Sequence, residues 1–279
     1  MEYKSIAVHV DTSERAGLRL EMALKLAGRF DAHLTAVFDI FAPDPRYFYA
    51  MAGSAAYYAA YETLSTDRTN ALKSRFESKL AESNVQGAWL ATGDYADFST
   101  SLPGRCADLI VAGQNDPDDP ELHISDLFAE RLVMSSGRPV LLMPASGDAP
   151  TIGNHVLVAW NGSREAIRAV HDALPFIKRA QRVSLVVVQE PSYKGLDHQM
   201  GAADIAAVIT RHGAKVELVT IEGGRDVSVG NLLLSQTSDL DADLLVMGAY
   251  GHARWQELIL GGATRSIMKT MTVPVLFSH

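Results

Sequence analysis

The residues best placed to bind a ligand are glycines near the C-terminus. Gly248 follows the apolar run DLLVM, and Gly251, Gly261 and Gly262 flank the segment HARWQELIL. Glycine lets a phosphate approach backbone N–H groups, and these carry partial positive charge where a helix begins. The pattern therefore predicts an anion-binding loop. The alternative is that these glycines only permit tight turns.

Polar residues elsewhere do not form a catalytic set. Ser13 and Ser163 each follow a strand-like run, but NGSRE is not a G-x-S-x-G nucleophile elbow. A serine just before a helical pattern, with an acidic residue close behind it (Glu14 or Glu165), is typical of an N-cap. We therefore expect both serines to cap helices.

Three charged or titratable residues lie near the glycines. His252 could contact a phosphate or act as an acid or base, although a solvated loop histidine is the more common case. Arg254 and Arg265 are better phosphate ligands by charge, but Arg265 could instead form a surface ion pair. Because no carboxylate pair or Ser/His/Asp set accompanies them, we expect a binding protein rather than an enzyme.

The elements that must position these residues occur twice along the chain. KSIAVHVDTSERAG near residue 4 is echoed by NHVLVAWNGSREAI near residue 154, which aligns Asp11 with Asn161. CADLIVAG (106–113) is echoed by DADLLVMG (241–248). The segment PASGDAPTIGN between the halves is typical of a linker. Internal duplication of this kind predicts two domains, at residues 1–146 and 154–279.

Each half alternates short apolar runs with helical patterns. IAVHV, LTAVF, AWLAT, LIVAG and PVLLM predict the strands of the first half, and RLEMALKLAGRF shows helical spacing. This alternation predicts an α/β fold of two tandem, five-stranded, parallel-sheet, doubly wound (Rossmann-like) domains. Ligands of such sheets bind outside the carboxyl ends of the strands, where the strand order reverses.

The first half serves as an internal control for the glycines. At the matching positions it carries Gly113, Asp116, Asp126 and Leu127 in place of Gly248, Gly251, Gly261 and Gly262. Carboxylates would repel a phosphate, and side chains would block the backbone. We expect no ATP binding by the first half, and its loop QNDPDDPELHISD should be a solvated surface or a contact for a partner.

The glycine spacing resembles that of the universal stress protein family. The motif G-x2-G-x9-G, the opening VLVAWNGS and the final VPVLFSH carry this resemblance, which covers nearly the whole chain as a tandem pair. It implies five-stranded α/β domains and ATP binding, with Mg²⁺ as the accompanying ion, by the second half only. The family's strand-one aspartate, which contacts the nucleoside, corresponds to Asn161. The implied binding residues are Asn161, Gly162, Gly248, Gly251, His252, Gly261, Gly262, Ala263 and Thr264.

Two positions depart from that family's pattern. Residue 262 is Gly where the family has Ser or Thr, although Thr264 lies two residues on, and Asn161 lacks the charge of a carboxylate. A lost hydrogen bond costs about 0.5–1.5 kcal/mol, which would weaken binding without abolishing it. Three functions therefore stay open: a nucleotide-binding stress or regulatory module, an interaction protein that binds no nucleotide, and a slow ATPase.

The resemblance also implies how the halves associate. Domains of that family pair through their final strands, which here are PVLLM and PVLFSH. Such pairing would cover strands that otherwise template aggregation. The whole chain is expected to pair again as a homodimer. An insertion rich in tyrosine, residues 41–64, could flank the site or pack on its own domain.

Composition excludes several other classes of function. A net charge of −8 without a basic cluster argues against nucleic acid as a partner. No run approaches the ~18 apolar residues of a membrane span. The histidines lack metal-ligand spacing, so we expect no structural metal. The single Cys106 is expected to be a small buried residue, and one cysteine without an export leader predicts a cytoplasmic protein.

Overall fold

Ten strands of the chain form one sheet in the computed structural model. The structure describes residues 2–11, 13, 15–39, 55–92, 102–115, 128–147, 150–189, 197–223, 227–251 and 262–279. The strands are β1 (Ser5–Val10), β2 (His33–Asp39), β3 (Gly87–Thr92), β4 (Leu109–Gly113), β5 (Val140–Met143), β6 (His155–Trp160), β7 (Arg182–Gln189), β8 (Val216–Glu222), β9 (Leu244–Gly248) and β10 (Val275–Ser278). The helices within the described ranges are α1 (Ala16–Phe30), α2 (Ala55–Glu82), α3 (Leu102–Cys106), α4 (Phe128–Ser135), α5 (Arg164–Asp172), α6 (Leu174–Ile177), α7 (Asp197–Arg211), α8 (Val229–Asp239) and α9 (Ala263–Thr270).

The strand order repeats the same topology in each half. The order is β3-β2-β1-β4-β5-β10-β9-β6-β7-β8, so each half has a parallel five-stranded sheet of the 3-2-1-4-5 type. The two final strands, β5 and β10, pair antiparallel, with Leu141 opposite Leu276. The predicted α/β fold and the predicted pairing through the final strands are both confirmed.

Strand composition explains why the sheet lies in the middle of the molecule. The strands nearest its centre, such as β4, β5, β9 and β10, are almost wholly apolar and buried. Parallel strands covered on both faces need such runs. The edge strand β8 (VELVTIE) alternates charged and apolar residues and is half exposed. One apolar core lies on each face of the sheet.

Side chains also join the two halves away from the strand pairing. Tyr3 packs edge-on against Phe30 and Phe176, with ring centroids 5.0 and 5.7 Å away. Arg265 Nε donates to Glu130 Oε1 at 3.1 Å, which confirms the surface ion pair considered for that arginine. The halves therefore share both a sheet and an apolar contact.

The structure corrects the expectation for Cys106. Cys106 is exposed, so the prediction that it is buried was wrong. It ends the short helix α3, and the neighbouring Ala107 takes the buried position instead.

The insertion at residues 41–64 is described only from residue 55 on, where its backbone is the start of α2. Residues 41–54 and the tyrosine side chains lie outside the described residues.

The described residues include neither a membrane-spanning helix nor a cluster of metal ligands. Among the described residues, no helix is both long enough and apolar enough to cross a membrane. No group of three metal-ligating His, Cys, Asp or Glu side chains occurs in the same part of the chain.

Candidate functional site

The candidate site lies at the carboxyl edge of the second half. There β6 pairs with β7 on one side and with β9 on the other, which makes it the point where the strand order reverses. Asn161 follows β6, Gly248 ends β9, and Gly262 comes immediately before α9. His252, Arg254 and Gly261 lie outside the described residues.

A tight turn connects β6 to α5. Asn161 is exposed, and its Oδ1 accepts a hydrogen bond from Ser163 N at 3.1 Å. Gly162 adopts a φ of 73°, a left-handed conformation that favours glycine. The hydroxyl of Ser163 accepts from Ala166 N at 3.1 Å. Ser163 therefore caps α5, as predicted, and Asn161 faces the edge of the sheet.

Gly248 and Gly251 allow the loop after β9 to pack on this same turn. A Cβ on Gly248 would lie 2.5 Å from Ala166 N and from the carbonyl carbon of Glu165. A Cβ on Gly251 would lie 2.8 Å from Glu165 Oε2 and 2.9 Å from Ser163 Oγ. The close approach at these two glycines is thus made by the first turn of α5, and it brings the buried Glu165 carboxylate against the loop.

The start of α9 is open, in contrast to the packing around those glycines. Gly262 is its N-cap residue, with φ −60° and ψ 175°, and no side chain caps the helix there. Among the described residues, which do not include 252–261, a Cβ on Gly262 would meet nothing within 4 Å, and Gly262 is exposed. The first N–H groups of a helix have no partner within the helix, so an uncapped start can accept an anion. Ala263 is the first residue of this helix.

Thr264 holds the loop instead of facing the open helix start. It is buried, and its Oγ1 accepts from Tyr250 N at 3.3 Å. Tyr250 has a φ of 56°, unusual for a residue with a side chain. Burial, followed by the nearby charge of Glu130, raises the pKa of the Tyr250 phenol to about 12. The oxygen of the Thr264 hydroxyl therefore accepts from the loop, while its O–H is still a hydrogen-bond donor.

In the first half the equivalent strand end is filled by an ion pair. Asp11 is buried, and its Oδ2 lies 2.8 Å from Arg19 Nη2. Arg19 Nε also donates to His9 O at 2.8 Å. Burial alone would raise the pKa of Asp11, but the charge of Arg19, with smaller effects of His9 and Ser13, lowers it to about 2. Asp11 is thus an ionised carboxylate at neutral pH, and its partners are within the protein.

The first-half serine does not cap its helix, so that prediction was wrong. The hydroxyl of Ser13 donates to Asp11 Oδ1. The helix α1 begins later, with Arg15 as its N-cap residue and no side-chain cap. The helix α1 starts two residues further along than its counterpart α5 does, so Ser13 is not at its N-cap position.

Comparison of the halves shows a difference that the glycine pattern alone did not reveal. β1 and β6 match at an interval of 150 residues, and α4 and α9 match at 135. The ring of His9 lies 4.6 Å from that of Phe128, the first residue of α4. Arg19 fills the space beside Gly113, where a Cβ would be 2.2 Å from its Nη1. The second half has alanine at all three matching positions, which are Ala159, Ala169 and Ala263.

This difference lies in the side chains around the two strand ends. In the first half, His9, Arg19 and Phe128 lie between the end of β1, α1 and the start of α4. In the second half the matching residues are alanines, and the first turn of α5 packs against Gly248. The signal was available in the sequence, because the same alignment that pairs Asp11 with Asn161 also pairs these residues.

Known proteins resemble this chain in sequence and in fold. The Universal stress protein family model matches residues 154–279. Universal stress protein Slr1230 of Synechocystis is 26% identical over 156 residues, which make up 53% of this chain and 49% of the relative. The match therefore spans about half the length of that curated relative.

Solved structures resemble the whole chain. A universal stress protein from Archaeoglobus fulgidus has a TM-score of 0.70 at 17% identity, covering 98% of this chain and 95% of that one. A functionally unknown protein from Pseudomonas aeruginosa has a TM-score of 0.63 at 17% identity, covering 99% and 92%. At these identities the likeness concerns the fold alone.

Proposed function

We propose that the half of the chain that the Universal stress protein family model matches, residues 154–279, binds one adenine nucleotide, ATP with Mg²⁺. The nucleotide would act as the signal in a stress-response or regulatory module. The binding residues of the proposal that the structure describes are Asn161, Gly162, Gly262 and Ala263.

One observation carries the proposal, which is the open start of α9 beside small side chains. No described residue lies within 4 Å of a Cβ position on Gly262. Ala159, Ala169 and Ala263 stand where the first half has His9, Arg19 and Phe128. A helix start with free N–H groups and space in front of it suits a phosphate. The position at a reversal of strand order is where α/β sheets bind ligands.

A carboxylate near the loop supports the proposed involvement of Mg²⁺. Oε1 of the buried Glu165 is paired with Arg164 at 2.9 Å, and Oε2 lies 2.8 Å from where a Cβ on Gly251 would be. Carboxylate oxygen is a ligand that Mg²⁺ accepts, so Oε2 of Glu165 is the atom that would approach the ion.

The first half is proposed not to bind nucleotide. Its Asp11 is already paired with Arg19, and Phe128 stacks on His9 at the start of α4. A ligand would have to displace a buried ion pair, and leaving one charge of such a pair unpaired costs about 3–5 kcal/mol. We therefore propose one nucleotide per chain.

Binding without dedicated catalysis is part of the proposal. Ser163, the described hydroxyl nearest in sequence to Asn161, accepts from a helix N–H as a cap. The homodimer, the cytoplasmic location and the absence of turnover stay predictions.

A second candidate is an interaction protein that binds no nucleotide. The packing of Gly248 and Gly251 on α5 favours it, because it gives both glycines a role in the fold.

Substitutions at Gly262 test the proposal, because no residue in the described part of the chain packs against it. Gly262→Ser restores the hydroxyl of the family pattern, and one added hydrogen bond should tighten Mg-ATP binding roughly two- to tenfold. Gly262→Leu copies Leu127 of the first half and should abolish binding by covering the helix start. Equilibrium dialysis with labelled ATP measures both, and Gly262→Ala is the matched control.

Unfolding curves of the three variants should stay close to that of the wild type, since a side chain at 262 has open space. Absence of binding in the wild type and in Gly262→Ser would refute the proposal. Unchanged affinity in Gly262→Leu would place the nucleotide elsewhere and refute the site.

A further inference from the structure

We propose that the edge strand β3 pairs antiparallel with β3 of a second copy of the chain, so that two molecules share one sheet. β5 and β10 already pair with each other inside the chain, so these strands have no free edge for a second copy. The inference gives the expected homodimer a surface, and it does not depend on the proposed nucleotide site.

The hydrogen-bond register of β3 shows which of its backbone groups are left for a partner. Leu34 N donates to Gln86 O at 2.9 Å, so residues 86, 88 and 90 direct their N–H and C=O groups toward β2. The groups of the alternate residues Gly87, Trp89 and Ala91 therefore point away from the sheet. β3 is the last strand on its side, and no described residue bonds to these groups. They form an open row of donors and acceptors.

The side chains of β3 allow self-pairing in one register. With Trp89 opposite Trp89 of the second copy, Gly87 lies opposite Ala91, and Ala88 lies opposite Leu90. These pairs are small or apolar, and the strand GAWLAT carries no charge. Leu90 is 39% exposed and Ala88 is also exposed, so the pairing would cover apolar surface.

The two tryptophans at the centre of this register leave room for each other. The ring of Trp89 stacks on Phe38, with centroids 5.8 Å apart, and lies 5.8 Å from the ring of Phe76. Each tryptophan is thus held over the sheet of its own chain. The gap of about 5.5 Å between opposite Cα atoms of a hydrogen-bonded pair is left to the two backbones.

The opposite edge of the sheet is protected by charge. Gly223 N donates to Gln189 O at 2.7 Å, so the outward backbone groups of β8 include those of Thr220. β8 also carries Glu217 and Glu222, and self-pairing would bring the glutamates of two copies together. Charged side chains are a common protection of edge strands, and β3 lacks them. One open edge and one protected edge predict a closed pair of chains and no filament.

Proline variants test the pairing through the backbone. Ala91→Pro removes an outward N–H of β3 and keeps the hydrogen bonds to β2, and edge strands tolerate proline at such positions. Thr220→Pro is the matched control, because it removes an outward N–H of β8. Sedimentation equilibrium of nucleotide-stripped protein at micromolar concentration should give the mass of two chains for the wild type and Thr220→Pro. Ala91→Pro should give the mass of one chain, with a cooperative unfolding curve.

Charge variants test the register and do not depend on the fold tolerating proline. Ala88→Glu places a carboxylate opposite Leu90 of the second copy, and Leu90→Lys places an ammonium group opposite Ala88. Each change occurs twice in the symmetric pair, so each should weaken the dimer roughly tenfold. The variant that carries both changes should regain most of the affinity, because opposite charges then face each other across the two strands.

Hydrogen exchange locates the contact. As the protein concentration rises, the amides of Trp89 and Ala91 should exchange more slowly, and those of Leu218 and Thr220 should not change. Protection of the β3 amides that is independent of concentration would show that another segment of the same chain covers the edge, which would overturn the inference.

Three masses would also overturn the inference. A wild type with the mass of one chain would show that the β3 edge does not pair with itself. A dimer that survives in Ala91→Pro and in Leu90→Lys would place the interface elsewhere. A mass that grows beyond two chains would show that both edges of the sheet pair. None of these results bears on Mg-ATP binding, which is measured separately.

Discussion

The buried ion pair between Asp11 and Arg19 in the first half yields a prediction about the stability of the fold. Asp11→Asn keeps the shape of the side chain and its acceptor for Ser13 N–H, but it removes the charge that balances Arg19. Asp11 and Arg19 are both buried, with 4% and 3% of their surface exposed. The uncompensated guanidinium should destabilise the fold, because burial of an unpaired charge is costly.

The size of this destabilisation can be worked out from the pKa of Asp11. Asparagine resembles a protonated aspartate, and the drop from the ordinary pKa of 3.8 to about 2 corresponds to roughly 2 kcal/mol of folding free energy. Loss of one partner of other buried ion pairs costs about 3–5 kcal/mol. We expect a loss between these values, and we give more weight to the lower one because asparagine preserves the turn.

The pH dependence has a definite sign. A carboxyl whose pKa is lowered by folding stabilises the protein above its ordinary pKa, and this contribution is lost as pH falls through the lowered value. The free-energy difference between wild type and Asp11→Asn should therefore be constant above about pH 5 and shrink as the pH falls from about 4 toward about 2.

Urea unfolding followed by circular dichroism, over this pH range, is the assay. Asp11→Asn combined with Arg19→Ala copies Asn161 and Ala169, and it should cost less than the sum of the two single variants. A loss below about 0.5 kcal/mol in Asp11→Asn at neutral pH would refute the reasoning. So would additive effects in the double variant.

Three further predictions concern other parts of the fold. His155 donates from Nδ1 to Leu240 O, and burial, followed by the charge of Arg182, lowers the pKa of its ring. Folding therefore favours the neutral form of His155. The wild type should lose thermal stability relative to His155→Asn as the pH falls below about 6.5. Gly248→Ala should cost about 1–3 kcal/mol in urea unfolding, because its Cβ would clash with backbone atoms of α5. Arg265→Gln should change stability by less than about 1 kcal/mol, because its ion pair with a Glu130 carboxylate is partly exposed.

Much of the fold follows from the sequence because its cause is local and repeated. Apolar runs such as LIVAG and PVLLM specify buried strands wherever they lie, and the duplication implies that both halves share one topology. The capping of α5 by Ser163 was predicted in this way, because it depends on one short segment. The pairing of β5 with β10 was implied instead by the family resemblance.

The site was harder to predict because its features depend on distant residues. Gly248 and Gly251 were expected to admit a phosphate, but whether a ligand or a helix approaches them depends on where α5 begins. The Asp11–Arg19 pair joins a strand end to the first turn of a helix, and no local pattern indicates it. Cys106 is exposed because α3 ends there, a boundary that its apolar neighbours do not reveal.

The central claim is that the second half alone binds a nucleotide, and the stoichiometry of binding tests it most directly. Calorimetric titration of nucleotide-stripped protein with Mg-ATP counts the sites on each chain. We expect about one equivalent per chain, since the first-half strand end is filled by Asp11, Arg19 and Phe128. Two equivalents would show that the ion pair does not close the first half, and none would show that the open start of α9 is not a nucleotide site.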